Sequence, residues 1–167
     1  MKERLMQSDV EKIKKEIEER KLVERPKLIA AVKEAREQGD LSENFEYYAA
    51  KKEKNRNESR IRYLERMLKM AEVIVDESNE DEVGLNNTIE VYFEDDDEIE
   101  KFKIVTSVRG NSLGGYISIE SPIGKAVIGK KVGDRVYVEI NEKAGYYVQI
   151  KSIDKNSDDS TDNIRKY

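Results

Sequence analysis

Residues 41–75 read LSENFEYYAAKKEKNRNESRIRYLERMLKMAEVIV and contain neither proline nor glycine. Near the end of this stretch, apolar residues recur at alternating intervals of three and four, namely at Ile61, Leu64, Leu68, Ala71 and Val75. This spacing is typical of a coiled-coil seam. We therefore predict one continuous helix from about Leu41 to Val75, and thirty residues of such a helix extend roughly 45 Å.

The residues before this stretch predict a second helical segment that runs back along the first. Its apolar residues recur at helical spacing on both sides of Pro26, at Val10, Ile13, Ile17, Ile29 and Val32. Pro26 should kink or briefly break the helix, because proline has no N–H to donate. Gly39 is the expected terminator. Two such helices joined by a short connection form an antiparallel coiled-coil hairpin with its tip at 39–42, and we assign residues 1–76 to it.

The seam weakens toward the tip of the hairpin. Continued backward from Ile61, the heptad reaches Asn57 and Lys54, both polar, before Ala50 and Tyr47. A buried asparagine at such a position can set the register of a coiled coil. The alternative is a loosely packed middle of the hairpin, and the pattern alone favours this second interpretation.

The second half of the chain predicts a small sheet domain. Runs rich in β-branched and aromatic residues recur at 88–93, 99–105, 116–119, 135–140 and 146–153. Ser121 and Pro122 open a short helix as N-cap and first-turn proline. We predict a five-stranded antiparallel or mixed sheet with one helix at 86–154, an acidic linker at 77–85 and a polar, disordered tail at 155–167. The fold class is therefore α+β, with an N-terminal antiparallel α-helical coiled-coil hairpin followed by a small β-sheet domain.

The composition excludes several classes of chemistry. The 167 residues include no cysteine and no histidine, which removes disulfides, thiolate and imidazole metal sites and the usual general bases. Charged residues make up 40% of the chain and interrupt every apolar stretch, so we expect no membrane span and no secretory signal. We expect a cytoplasmic monomer. Its net charge of −5 argues against a general affinity for nucleic acid.

The tip carries two carboxylates three residues apart, Asp40 and Glu43. One interpretation is a capping box, in which Asp40 accepts a hydrogen bond from the first turn of the second helix and Glu43 reaches back to the Asp40 amide. The other is a pair of oxygen ligands for Mg²⁺, which binds a few carboxylates and keeps several waters. The spacing alone favours the capping box.

Basic residues and tyrosines flank the tip on both helices: Lys33, Arg36, Tyr47, Tyr48, Lys51, Lys52, Lys54, Arg56 and Arg60. Such a face can hold the backbone of a single-stranded nucleic acid and stack a base. The alternative is a solvated helix face on which Glu46, Glu53 and Glu58 pair with nearby cations. The pattern alone favours the solvated face.

Two segments resemble the signatures of the bacterial Gre transcript-cleavage factors. The first is Arg25-Pro26 followed by residues 35–47, AREQGDLSENFEY, and 49–51, AAK. The second is residues 121–134, SPIGKAVIGKKVGD. The resemblance spans about residues 8–154, with both signatures in order and at the expected separation. The acidic net charge looks more like the GreA type than the more basic GreB type.

This resemblance implies a hairpin followed by an FKBP-like C-terminal domain that docks on RNA polymerase. The hairpin would enter the polymerase secondary channel, and the factor would stimulate the polymerase's own cleavage of backtracked RNA, which rescues arrested complexes. Carried over by motif, Asp40 and Glu43 are tip carboxylates that share Mg²⁺ with the polymerase active site. The resemblance implies no cofactor of the protein's own and no enzyme activity of the protein alone.

Two further sets of contacts are predicted on this basis. The extruded 3′ end of the nascent RNA would lie against Arg36, Lys51, Lys52 and Arg56. The docking surface for polymerase would include Ser121, Pro122, Ile123 and Gly124. One stretch departs from the family, because residues 51–59, KKEKNRNES, are polar where the family is more apolar. This departure bears on the rigidity of the hairpin near its tip and on the choice of basic-face residues.

Two other functions stay open. One is a regulator that binds the polymerase secondary channel without cleavage activity, and the retention of both tip carboxylates argues against it. The other is a module unrelated to polymerase, such as a coiled-coil dimerisation protein or a peptidyl-prolyl isomerase. An FKBP-like fold does not by itself carry isomerase activity.

Overall fold

The computed structural model describes residues 2–38, 44–109, 114–156, 159 and 162–166 of the chain. These residues form two compact units. The helical unit is built from Val10–Ala71, and the sheet unit is built from Glu3–Asp9 and Glu72–Lys166. The predicted α+β order, with a helical hairpin first and a small sheet domain second, is confirmed.

Three α-helices form the hairpin: α1 (Gln7–Glu19), α2 (Arg25–Glu37) and α3 (Phe45–Lys69). Between α1 and α2, residues Arg20–Glu24 wind as a π-helical turn, in which the Arg25 N–H donates to the carbonyl of Arg20. Pro26 follows directly and has no N–H to donate into a regular α-helix. The predicted break at Pro26 is confirmed, and it takes the form of a wider helical turn.

Ion pairs across the hairpin show that its two arms are antiparallel. Arg25 Nη2 lies 2.9 Å from Glu58 Oε1, and the earlier Lys21 Nζ lies 3.5 Å from the later Glu65 Oε1. The facing stripe of α3 buries Asn57, Arg60, Ile61, Leu64 and Met67. The predicted seam is therefore correct at Ile61 and Leu64, whereas Met67 takes the next buried position in place of the predicted Leu68.

Helix α3 ends at Lys69, before the predicted end at Val75. The chain then enters a short strand, β2 (Ala71–Val73), which pairs with β1 (Glu3–Leu5) in a two-stranded sheet. Residues 73–75 are all β-branched, and such side chains favour a strand over a helix. The prediction of a helix through this segment was wrong for that reason.

The pairing of β1 with β2 changes the predicted division of the chain. The hairpin was predicted to cover residues 1–76, but Glu3–Asp9 and the residues from Glu72 onward belong to the sheet unit. The Ile74 N–H donates to the Leu5 carbonyl oxygen at 2.7 Å. Residues Glu3–Asp9 are thus part of the sheet unit.

Residues in two segments that were predicted to be a linker and a disordered tail also pack in the sheet unit. In the predicted linker 77–85, Val83 and Leu85 are buried members of the core. In the predicted disordered tail 155–167, Asp162 is buried and forms ion pairs. Both predictions are corrected for these residues. Each segment is polar in composition, but these three side chains are buried.

The remaining strands are β3 (Thr88–Phe93), β4 (Glu98–Val105), β5 (Tyr116–Ser118), β6 (Arg135–Asn141) and β7 (Ala144–Asp154). They form one sheet in the order β5-β4-β3-β7-β6. The pairing of β4 with β5 is parallel, and the other three pairings are antiparallel. The prediction of a five-stranded sheet is confirmed, and the sheet is mixed.

The core of the sheet unit lies between this sheet and a short helix, α4 (Pro122–Val127). Along β3, the buried Ile89 and Val91 alternate with half-buried neighbours, as expected for a strand with one face in a core. Fully buried side chains from the other elements complete it, including Ile104, Val127, Val138 and Ile150. None of the helices in the described ranges has both the length and the apolarity needed to cross a membrane.

Candidate functional site

Asn44 joins the two helices at the end of the hairpin that carries the tip motif. Its Oδ1 accepts a hydrogen bond from the Tyr47 N–H at 3.0 Å and so caps the N-terminus of α3. Its Nδ2 donates to the carbonyl oxygen of Ala35 in the last turn of α2, at 2.6 Å. One side chain therefore satisfies a main-chain N–H at the start of α3 and a main-chain carbonyl oxygen at the end of α2. Sequence reasoning missed Asn44, although asparagine is among the preferred N-cap residues.

Asp40 and Glu43, the predicted tip carboxylates, lie outside the described residues. Because Asn44 is the N-cap of α3, the capping box with Asp40 as the cap of this helix is wrong. Among the residues that the structure describes, no group of three or more acidic side chains is arranged to hold a metal ion. The assignment of Asp40 and Glu43 as metal ligands stays a prediction.

Tyr47 is buried between cationic side chains of both helices. Arg36 Nη2 donates to the Tyr47 hydroxyl at 3.3 Å, and the guanidinium carbon lies 5.5 Å from the ring centre. Lys51 Nζ lies 6.0 Å from the same ring centre. The hydrogen bond from Arg36 holds the pKa of Tyr47 below its ordinary value, and the charge of Lys51 acts in the same direction. Arg36, one of the predicted RNA contacts, thus binds another residue of the hairpin.

A shallow groove lies on the exposed face of α3. It is lined by Tyr48, Lys51, Lys52, Asn55, Arg56 and Ser59. The structure thus brings together three of the four predicted RNA contacts, and Arg36 is not part of this lining. Tyr48 is half-exposed, and its ring meets that of Tyr47 edge-on at 5.4 Å between centres. We call these six residues the basic groove.

Carboxylates neutralise part of the charge around the basic groove. Arg56 Nη1 lies 2.9 Å from Glu53 Oε1, one turn earlier on α3. Within the described ranges, neither Lys51 nor Lys52 forms an ion pair with a carboxylate. The solvated-face interpretation therefore fits Arg56, while the two lysines keep their charge available for another partner.

Farther along α3, a polar cluster interrupts the apolar seam. Asn57 is only 4% exposed, and it exchanges hydrogen bonds with Arg20 on the facing arm. Glu16 Oε2 accepts from Arg60 Nε at 2.9 Å and from Arg20 Nε at 2.7 Å. Burial alone would raise the pKa of Glu16, but the hydrogen bonds from Arg60 and Arg20 outweigh it and lower that pKa. The structure favours the register-setting interpretation of Asn57 over a loosely packed middle.

The predicted docking residues lie at the start of α4. Ser121 Oγ accepts from the Gly124 N–H at 3.1 Å and donates to the Ser118 carbonyl oxygen at 2.6 Å. A Cβ on Gly124 would lie 2.0 Å from that same oxygen, so only glycine fits there. Pro122 is exposed, and Ile123 packs partly against the core. Ser121 and Gly124 therefore shape the turn that presents Pro122.

Comparisons with known proteins cover both units. The family described as "Transcription elongation factor, N-terminal" matches residues 4–73. The family described as "Transcription elongation factor, GreA/GreB, C-term" matches residues 77–155.

Individual relatives agree with these matches. The chain is 42% identical over 146 residues to transcription elongation factor GreA of Streptococcus pneumoniae serotype 19F, covering 87% of this chain and 91% of that protein. It is 42% identical over 149 residues to GreA of Streptococcus gordonii, covering 89% and 92%. The crystal structure of GreA factor homolog 1 (Gfh1) of Thermus thermophilus is 26% identical, with a TM-score of 0.43 and coverage of 92% and 99%. Because both family models match in order and the streptococcal relatives are similar over most of their length, the chain belongs to the GreA/GreB family of transcription elongation factors.

Proposed function

We propose that this chain is a cytoplasmic, monomeric factor that enters the RNA polymerase secondary channel and stimulates the polymerase's own cleavage of backtracked nascent RNA. The observation that carries this proposal is the tip motif at residues 35–47, in which Asp40 and Glu43 fall, in sequence, between α2 and α3 of the family-matched region. On this account the chain is not an enzyme alone. It supplies side chains to the active site of another protein.

The hairpin gives the motif a long and narrow support. Helix α3 has 25 residues, which corresponds to about 37 Å of length. Helix α2 packs along it, and Asn44 ties the ends of both helices together. The ion pair of Arg25 with Glu58 and the hydrogen bonds of Asn57 link the arms farther along. Such a support can carry two carboxylates into a channel that a globular domain cannot enter.

Asp40 and Glu43 would act on the hydrolysis step as ligands and as acceptors that orient a water molecule. In two-metal hydrolysis, the metal ions activate the attacking water and stabilise the leaving oxygen. A weakly held Mg²⁺ gains affinity from additional carboxylate oxygens. Since Asn44 provides the N-cap of α3, the helix does not need either carboxylate for that purpose, which supports a role for them outside the hairpin.

The basic groove would hold the extruded 3′ segment of the RNA. Lys51 and Lys52 have no carboxylate partner in the described part of the chain, and the half-exposed ring of Tyr48 lies beside them. Each phosphate that a cation neutralises adds a salt-dependent increment to binding, and a base can stack on an exposed aromatic ring. Arg56 would contribute after separating from Glu53, and Arg36 would act indirectly by holding Tyr47.

The sheet unit would dock on polymerase at the start of α4. Pro122 is the exposed residue of this turn, and Ser121 and Gly124 fix the backbone around it. A rigid, protruding turn suits a docking contact, because little conformational entropy is lost when a preformed surface binds.

The direct test is a stalled, backtracked transcription complex with 5′-labelled RNA, incubated in Mg²⁺ with and without the chain. We expect the RNA to shorten much faster when the chain is present, and the shortened RNA to be extended when nucleotides are added. Polymerase alone is the control, since it supplies the basal rate of cleavage.

Two outcomes would contradict the proposal in different ways. Binding to polymerase without faster shortening of the RNA would replace cleavage stimulation with a channel-binding regulator. Absence of binding, measured by co-migration with polymerase, would exclude both functions.

A further inference from the structure

A buried charge cluster surrounds Arg109 in the sheet unit, and the proposed function makes no use of it. The Arg109 side chain is 0% exposed. Three carboxylates contact it, namely Asp9, Asp159 and Asp162. Removing one partner from a buried ion pair is strongly destabilising, because a buried charge is left without compensation. The three carboxylates are therefore expected to be needed for the local structure.

The three carboxylates come from the two ends of the described chain. Asp9 lies in the first turn of α1 and binds Arg109 through the guanidinium Nε. Asp159 and Asp162 follow the last strand, and they accept from Nη2 and Nη1 of Arg109, each at 2.7 Å. Every nitrogen of the guanidinium thus has an acidic partner, one from the N-terminal segment and two from the C-terminal residues.

Asp9 is held in place by further hydrogen bonds. Its second oxygen accepts from the Met6 N–H at 2.8 Å and from the Thr106 hydroxyl at 2.8 Å. The Asp9 N–H in turn donates to the Met6 carbonyl oxygen at 3.0 Å. The same carboxylate therefore closes the first turn of α1 and bonds to Thr106 and Arg109.

Asp162 is equally well bonded. It accepts from Lys103 Nζ at 2.8 Å and from the Tyr116 hydroxyl, in addition to Arg109. Its partners lie on β4 and β5, which places residue 162 over one edge of the five-stranded sheet. Networks of this kind, when every member is satisfied, hold a segment in one arrangement.

The C-terminal residues also contact the N-terminal segment directly. Arg165 Nη2 donates to Glu3 Oε1 at 2.8 Å, and the Arg165 N–H donates to the Val108 carbonyl oxygen at 2.6 Å. Ile164 pairs with Arg109 in an isolated antiparallel bridge. Backbone and side-chain contacts therefore act together at this end of the chain.

We propose that Asp159 and residues 162–166 are a strap that fastens the N-terminal segment, Glu3–Asp9, to the sheet through Arg109. The family match ends at residue 155, so similarity to the family does not account for this segment. The strap supplies two of the three carboxylates around Arg109. Without the strap, Asp9 is the one acidic partner that the Arg109 guanidinium keeps among the described residues, and the guanidinium becomes exposed to water. The first turn of α1 is then held less firmly.

Backbone hydrogen exchange tests this proposal, because it reports local opening residue by residue. The chain is compared with a variant that ends at Asn156. In this variant we expect the amides of Met6, Asp9 and Ile74 to exchange about tenfold faster or more, as befits the loss of hydrogen bonds to charged groups. The core amides of Val91 and Ile150 should lose much less protection, because they open only when the whole sheet unit unfolds.

A second variant keeps the full chain and changes one atom of the strap. Asp162→Asn retains the shape of the side chain but removes its charge, and it should accelerate exchange at the same N-terminal amides. Glu142→Gln, at an exposed turn, is the matched control and should leave exchange unchanged. If the shortened chain does not fold, Asp162→Asn decides the question alone.

Two results would overturn the proposal. Unchanged protection of the N-terminal amides in the folded variants would mean that β1 and Asp9 hold themselves to the sheet. Equal acceleration at the N-terminal and the core amides would mean that the C-terminal residues contribute to global stability and do not fasten this segment in particular.

Discussion

Asn57 and Arg20 bind each other across the helical hairpin through two hydrogen bonds. Arg20 Nη1 donates to Asn57 Oδ1 at 2.9 Å, and Asn57 Nδ2 donates to the main-chain oxygen of Arg20 at 3.2 Å. Arg20 is also the first residue of the π-helical turn, and its carbonyl already accepts from the Arg25 N–H. Both the oxygen and the nitrogen of the Asn57 side-chain amide bond to Arg20, so a shift of one arm along the other would break both hydrogen bonds. This pair therefore fixes the register of the two arms.

We predict that Asn57→Ala destabilises the hairpin by about 1–3 kcal/mol, because two hydrogen bonds between the arms are lost, one of them from the charged guanidinium of Arg20. Urea unfolding followed by far-UV circular dichroism measures the loss. Asn55→Ala is the matched control, since Asn55 is exposed on the same helix. Alanine has a higher helix propensity than asparagine, and both variants gain this propensity equally, so it cancels when their stabilities are compared. Equal stability of the two variants would contradict the role of Asn57.

We predict that Gly124→Ala destabilises the sheet unit by about 1–3 kcal/mol or more, as expected for overpacking. The added Cβ would lie 2.0 Å from the Ser118 carbonyl oxygen, and a backbone atom cannot move aside cheaply. Thermal unfolding measures the effect. Lys125→Ala, at the exposed neighbouring position, should have little effect, and an unchanged unfolding temperature for Gly124→Ala would show that the turn relaxes.

We predict that acid weakens the sheet unit through Asp162. Burial alone would raise the pKa of this carboxyl, but hydrogen bonds from Lys103 and Tyr116 outweigh burial and lower it. A lowered folded-state pKa stabilises the fold above the unfolded-state pKa, and this stabilisation is lost as pH falls through the folded value. The free energy of unfolding should therefore decrease below about pH 4.

The control for this pH dependence is Asp162→Asn, in which the titrating group is absent. Its unfolding free energy should be lower at neutral pH and should fall less steeply in acid than that of the unmodified chain. Urea titrations between neutral pH and pH about 3 give both curves. Parallel curves would mean that Asp162 does not contribute to acid sensitivity.

We predict that Lys51→Glu combined with Lys52→Glu weakens action on deeply backtracked complexes, which extrude a long RNA segment. Complexes backtracked by a nucleotide or two should be spared, because little RNA reaches the basic groove. The difference should shrink as salt rises, since the contact in the unmodified chain is screened too. Lys27→Glu, an exposed change on α2, is the control. Equal loss at short and long backtracks would indicate a contact with polymerase instead.

The elements that the sequence predicts well are those decided by local periodicity. Ile61 and Leu64 mark the buried stripe of α3, Pro26 marks the break, and the alternation in 88–93 marks a strand. The end of α3 was missed because a heptad and a β-branched run overlap at 71–75, and pairing with β1 decides in favour of the strand. Such pairing is a long-range property that local pattern does not contain.

The candidate site divides in the same way. Lys51, Lys52 and Arg56 share a groove because helical periodicity places them on one face, and that could be predicted. The cap of α3 was missed because Asp40 and Asn44 are both good N-cap residues, and the contact of Asn44 with α2 decides between them. The cluster of Arg109 joins residues far apart in the sequence, so composition alone suggested a disordered tail.

The most direct test of the central claim is the rate of RNA cleavage in a backtracked complex saturated with Asp40→Asn or Glu43→Gln. Both changes keep the size of the side chain and remove its charge, and binding to polymerase is measured in parallel. The account predicts that cleavage stimulation falls about 10²–10³-fold, as when an electrostatic catalytic group is removed, while binding stays nearly unchanged. Cleavage at near the unmodified rate by both variants would contradict it.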